Sequence, residues 1–343
     1  MTFVDERAKS ATAAGKDADN ATNDNSSGAT GDAPDAQGEG SDRGRDAVPI
    51  PVVPAGGRTY RSTLAGLVAL MRPGQWPKNF LVVPLPLLGA PWSWSAAGNV
   101  AAATAAFVLA SSLVYVVNDM ADVERDRRHP VKRHRPLASG RVRMPAAVAF
   151  GGLQAVLLVL LLALLSPEGT WAVLLYLAVN AAYSWRLKHL HLLDVFIVAT
   201  GFVLRLLGGY EASGRPVAGW LVLTVLTLCL LLILGKRRHE LSVSGTGHRP
   251  ALAGYSAHFL DLVLVMCSAL TMVSYLLFLR TESGYAPAAL LTAPCALFAL
   301  FRYLQIVVVK SEGGTPVRTL LRDPVMLANS SVWAALLLLF QAV

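Results

Sequence analysis

Residues 98–126 read GNVAAATAAFVLASSLVYVVNDMADVERD, and two kinds of chemistry meet in them. The first 20 residues, 98–117, hold no charged side chain. A hydrocarbon core of about 30 Å takes about 20 such residues as one helix. The run then ends on Asn118, Asp119, Asp122, Glu124, Arg125 and Asp126. Asn118, Asp122 and Asp126 are spaced by four, so on a helix they project from neighbouring turns of one face. Three oxygen donors so placed suit Mg²⁺, which takes one or two carboxylates and completes its shell with water and substrate phosphates. A charged helix end paired with Arg125, Arg127 and Arg128 is the plainer alternative. The position favours the metal, because uncompensated carboxylates at a membrane boundary are costly.

The same hydropathy reading extended along the chain finds nine apolar segments: 79–91, 98–117, 144–165, 170–184, 192–210, 217–235, 258–279, 286–309 and 325–342. The first is interrupted by Pro84 and Pro86 and extends back through 64–71. The runs are long, rich in Leu and Ala, and lack the ten-residue alternation of barrel strands. An all-α polytopic membrane bundle is therefore expected over 58–343. Lys and Arg number 17 in the loops after spans two, four, six and eight, against 2 in the loops on the other side. This positive-inside asymmetry places the motif loops and the N-terminus in the cytoplasm of a plasma-membrane protein, and the C-terminus outside.

Residues 1–57 differ sharply from the rest. The first 55 hold ten acidic and five basic residues and few large aliphatic ones, while the whole chain has a mean hydropathy of +0.49. Such a tail cannot offset its ordering entropy and is expected to be disordered. Its start lacks the apolar core of a signal peptide. Cys229, Cys267 and Cys295 lie in apolar runs without metal-site spacing.

After the acidic motif comes HPVKRHRPLASG (129–140). Lys132, Arg133 and Arg135 cannot all find carboxylate partners locally, and Pro and Gly mark a fixed loop. Metal ligands followed by clustered cations are what a departing polyphosphate requires. Attraction of a basic loop to lipid headgroups is the alternative.

NDMADVERD resembles the NDxxDxxxD signature of the UbiA superfamily of intramembrane prenyltransferases. RPGQWPKNFLVVPLPL (72–87), YSWRLKHLHLLDV (183–195) and GKRRHEL (235–241) look like its phosphoribosyl-transferring branch, over about residues 61–343. The resemblance implies a helical bundle with its site in the cytoplasmic loops, Mg²⁺ dependence and an isoprenoid phosphate among the helices. It also implies a place in cell-wall arabinan or related glycolipid synthesis. Many members carry a second aspartate-rich motif; here a single carboxylate, Asp194, stands in its place, with Tyr183 and Lys188 before it. Asp194 is a candidate further metal ligand, and a plain Lys188–Asp194 ion pair is the alternative.

The remaining candidates are cations. Arg72 and Lys78 flank the entrance to span one, as phosphate holders or as snorkelling anchors. Arg205 lies deep in span five, where a charge faces the bundle interior or a wet cavity. Its partner is expected to be a substrate phosphate or a carboxylate of the first motif, with a purely structural pair as the alternative. The neighbouring Gly208 and Gly209 would permit close helix approach. Lys236 and Arg237 form a third cluster, with Glu240 one turn on as its organiser.

Two reactions share this scaffold. In one, phosphoribosyl pyrophosphate gives its 5-phosphoribose to a membrane polyprenyl (decaprenyl) phosphate, with Asp122, Asp126 and Lys188 as the catalytic set. In the other, a polyprenyl diphosphate alkylates an aromatic acceptor. The excess of cations and the missing second aspartates favour the first. A carrier would predict internal repeats, and none stands out. Membrane lipid is the expected surround, homo-oligomerisation stays open, and no nucleic-acid partner is expected.

Overall fold

The computed structural model describes residues 60–83, 93–165, 167–185, 187, 190–244, 254–283, 286–310 and 322–342, and all of them fall in one unit, Gly57–Val343. In lipid a backbone must satisfy its own hydrogen bonds, so the apolar runs become helices. In chain order these are α1 (Tyr60–Leu70), α2 (Trp94–Ala121), α3 (Val123–Arg128), α4 (Met144–Leu164), α5 (Pro167–Trp185), α6 (Leu193–Ser213), α7 (Gly219–Ser244), α8 (Ala257–Thr281), α9 (Ala286–Leu304) and α10 (Pro324–Ala342). Among the described residues there is no strand. Six helical stretches are long and apolar enough to cross a membrane: Trp94–Ala121, Met144–Leu164, Leu193–Ser213, Gly219–Val243, Ala257–Thr281 and Ala286–Val309.

Spans two to nine of the sequence reading correspond to the eight long helices α2 and α4–α10. Span one does not form one helix across its described part. Pro73 and Pro77 each lack an amide hydrogen, and the chain from Pro73 to Val82 winds as a 3-10 helix. Residues 84–92 and the acidic tail, 1–57, lie outside the described residues.

Local chemistry sets the helix ends. Ser93 Oγ accepts from the Ala96 amide at the start of α2, and Ser256 Oγ from the Phe259 amide at the start of α8. Gly214, at φ +65°, closes α6 in the left-handed region.

Helix α6 is central, packing against α2, α5, α7 and the 3-10 helix. Helix α4 packs chiefly on α2 and exposes Val148, Leu153, Val156, Val159 and Leu160, as a lipid-facing helix does. Since lipid is as apolar as leucine, helices associate in it through close packing and interhelical hydrogen bonds. Both occur here. Thr224 bonds to Ser274 and Thr271 to Thr227 between α7 and α8. A Cβ on Gly208 would stand 2.7 Å from Cε2 of Phe107, so the expected close approach falls between α6 and α2. The Phe107 ring is fully buried and edge-on to Tyr176, with no room to yield. Gly208→Ala is therefore expected to destabilise the bundle by about 1–3 kcal/mol, read as a lower melting temperature in detergent. Unchanged melting would mean that the two helices are free to part.

Candidate active site

Alternate helix ends gather the polar residues at one end of the bundle. Helix α2 stops at Ala121, and Asp122 takes φ −96°, ψ 6°, the sparsely populated bridge conformation frequent at active sites. The hydrogen-bond ladder nevertheless runs through this break. The Asp122 amide donates to the Asn118 carbonyl at 2.9 Å, and the Asp126 amide to that of Asp122 at 2.8 Å. The four-residue spacing therefore survives across two helices. The Asp122 side chain is 36% exposed, and its ion-pair contact is a long one of 3.5 Å to Arg125. Asp126 is buried.

Of the three loop cations, Arg135 is the one that enters the acidic cluster. Its Nη1 donates to Asp126 Oδ2 at 2.6 Å and to Asp119 Oδ1 at 3.1 Å. Asp119 Oδ1 also accepts from Arg72 Nη2 at 2.6 Å, and the Arg72 guanidinium lies 4.7 Å from the Tyr115 ring centroid. Lys132 and Arg133 have no carboxylate partner among the described residues.

A second cluster joins α6 to α7. Asp194, in the first turn of α6, accepts from Arg237 Nη2 at 2.9 Å and from the Tyr255 hydroxyl at 3.3 Å. Arg237 Nη1 donates to Glu240 at 2.6 Å, and Lys236 lies 3.7 Å from the same carboxylate. Glu240 thus organises both cations, as the sequence spacing suggested. Tyr183 is within electrostatic reach of Arg237. Arg237 is thus an ion-pair partner of Asp194; Lys188, the partner in the sequence alternative, lies outside the described residues. Each Asp194 oxygen accepts one hydrogen bond, from Arg237 or from Tyr255.

Lys78 relates the clusters to each other. Its surroundings crowd it although part of it stays open to solvent. That desolvation, then the charges of Arg205, Lys236 and Arg72, hold its amine below the usual range. The fields of Arg72, Arg205 and Lys236 thus all act on Lys78.

Arg205 is 5% exposed and is held by neutral partners, with no carboxylate partner among the described residues. Its Nε donates to Asn79 Oδ1 at 2.8 Å, Nη1 to the Gly201 carbonyl at 2.7 Å and Nη2 to the Tyr176 hydroxyl at 3.1 Å. The guanidinium also lies 4.5 Å from the Tyr176 ring centroid, with Phe107 and Phe202 beyond. Neutral dipoles and ring faces solvate this charge. The guanidinium fastens the 3-10 helix to α5 and α6, and its field acts on Lys78.

Four members of this site escaped the sequence reading as site residues: Asp119, Asn79, Tyr176 and Tyr255. Asp119 had a signal, since it stands seven residues, two helical turns, before Asp126. Tyr176 stands likewise seven before Tyr183. Asn79 follows Lys78 directly, and Tyr255 had no local signal.

The fold and this end of the bundle define a multi-pass, all-helical membrane transferase. Residues 79–313 match the UbiA prenyltransferase family, and the chain belongs to it. It is 33% identical to decaprenyl-phosphate phosphoribosyltransferase of Mycobacterium tuberculosis over 79% of this chain and 93% of that protein. With the Mycolicibacterium smegmatis protein of the same name it shares 34% identity, over 63% of this chain and 70% of that one. In fold it is similar to a UbiA homologue from Archaeoglobus fulgidus bound to GPP and Mg²⁺, with a TM-score of 0.58 at 18% identity, covering 81% of this chain and all of that one.

The residues present suit such a metal. Among the described residues no three His, Cys, Asp or Glu side chains converge into a cage. What stands at the α2–α3 break is two carboxylates and an amide. Asp126 Oδ1 and the Asn118 side chain have no hydrogen-bond partner among the described residues. Hard oxygen donors, few in number, are the set Mg²⁺ takes, with water and phosphate completing its shell.

Proposed function

We propose that the protein transfers 5-phosphoribose from phosphoribosyl pyrophosphate to a polyprenyl phosphate, decaprenyl phosphate in the relatives' names, at the cytoplasmic face of the membrane. A phosphate oxygen of the lipid forms a bond to the anomeric carbon of ribose, the bond from that carbon to pyrophosphate breaks, and pyrophosphate leaves. The acceptor phosphate is already ionised, so the step needs no strong base. A product of this kind is a lipid-borne pentose for arabinan or related glycolipid assembly.

The observation that supports this reading is the excess of cations over carboxylates among the residues of the two clusters and the loop 129–140. Phosphoribosyl pyrophosphate has two separated anionic ends, whereas a prenyl diphosphate has one. Arg72 and Arg135 stand by the acidic motif, with Lys132 and Arg133 in the same loop; Lys78, Lys236 and Arg237 form a second group. Mg²⁺ held by Asn118, Asp122 and Asp126 would neutralise charge on the pyrophosphate. Asp194 and Glu240 aim Arg237, with Tyr183 beside it, and Arg205 holds Asn79 and thereby the segment of Lys78. Lys188 remains a candidate for the second clamp. The cytoplasmic orientation rests on the 17-to-2 split of loop cations.

Purified protein supplied with Mg²⁺, decaprenyl phosphate and labelled phosphoribosyl pyrophosphate should form labelled lipid. Lys78→Ala should raise the Michaelis constant for phosphoribosyl pyrophosphate about ten- to a hundred-fold, the effect of losing one charge-assisted hydrogen bond. The constant for decaprenyl phosphate should move much less. A wild type that ignores this donor and consumes a prenyl diphosphate with an aromatic acceptor overturns the proposal.

A further inference from the structure

Asp119 is a buried carboxylate of the first cluster, at 4% side-chain exposure, while Arg72 and Arg135, which it holds, are 31% and 30% exposed. The arginines thus keep accessible surface, whereas the carboxylate has almost none. One oxygen of Asp119, Oδ1, takes both guanidinium groups, at 2.6 and 3.1 Å. These arginines arrive from different places, Arg72 from the turn after α1 and Arg135 from the loop after α3. Arg72 also holds φ +53° directly before Pro73, a strained backbone for a residue with a side chain. Such strain persists where the surroundings over-determine it, and here the Asp119 ion pair and the Tyr115 ring do so.

We infer that Asp119 is a positioning residue, neither metal ligand nor substrate contact, which fixes Arg72 and Arg135 as a two-armed clamp for a diphosphate. The inference rests on the proposal above that these arginines meet the diphosphate of the donor. A buried anion between two half-exposed cations neutralises part of their mutual repulsion and sets their spacing before ligand arrives. The same Nη1 of Arg135 reaches Asp126, so Asp119 also determines where Arg135 stands relative to the metal ligands.

Inorganic pyrophosphate is the probe, because it leaves in either donor chemistry and does not depend on the identity of the donor. In calorimetry with Mn²⁺ present, D119N should bind pyrophosphate about ten-fold or more weakly than the full-length wild type. Its binding of Mn²⁺ alone, followed by electron paramagnetic resonance, should be unchanged. In an R72M/R135M background, D119N should add little further loss. Wild-type-like pyrophosphate binding by folded D119N overturns the inference, and so does loss of Mn²⁺ binding, which would make Asp119 a ligand. If D119N does not fold, D119E keeps the charge but moves the shared oxygen by one methylene, and must show the same contrast or the inference fails. A wild type that binds pyrophosphate yet does not use phosphoribosyl pyrophosphate refutes the donor assignment and leaves this test standing.

Discussion

Asp122→Asn should lower turnover about a hundred- to a thousand-fold, the scale seen when a group that stabilises transition-state charge is removed, and leave the melting temperature in detergent unchanged. The two halves of this expectation have separate causes. Asp122 is partly exposed and its contact to Arg125 is long, so little fold energy depends on its charge. Its backbone amide, which continues the ladder to Asn118, is untouched by the substitution. In the proposed reaction its negative charge would serve a metal whose interaction strengthens as pyrophosphate departs, so the loss should fall on kcat more than on KM. Asp126→Asn should lower turnover similarly but also loosen Arg135, whose 2.6 Å bond it weakens. Turnover near wild type in either variant, or full activity in a chelator, would show that the acidic motif is only a charged helix end.

Asp194→Ala should have the largest effect on stability, about 3–5 kcal/mol, because removing one partner of a buried ion pair leaves the other charge without compensation. Arg237 is 5% exposed, and its Nε already lacks a partner. The variant would leave it Glu240 alone, and would also deprive the Tyr255 hydroxyl of its acceptor. A marked fall in melting temperature, the same with and without Mg²⁺, is the expected result. Unchanged melting in metal-free buffer with turnover abolished would instead return Asp194 to the metal shell that the sequence suggested.

These expectations also show how much of the site was legible beforehand. Glu240 was read correctly as the organiser of Lys236 because the two are one helical turn apart. Arg205 was read correctly as buried, while its neutral partners were not legible in the sequence. Hydropathy reports that a charge lies deep in a span but says nothing of the amide, carbonyl and phenol that solvate it. Span one was read as interrupted at Pro84 and Pro86; the structure shows that its described start, together with residues 73–78, winds as a 3-10 helix. It is that irregular segment which brings Lys78 and Asn79 to the site.

The sequence by itself determined the alternation of membrane helices and polar ends, the side on which basic residues collect, and the four-residue spacing of the acidic motif. Each of these is a property of neighbours along the chain, carried by periodicity and composition. Only the tertiary structure decided which charges meet. Arg72 pairs with Asp119 across 47 positions, Arg237 with Asp194 across 43, and Arg205 with Asn79 across 126. Pairings at such separations follow from how helices pack, and packing in lipid is governed by local shape, as where Gly208 admits Phe107, and no pattern of charge along the chain contains it.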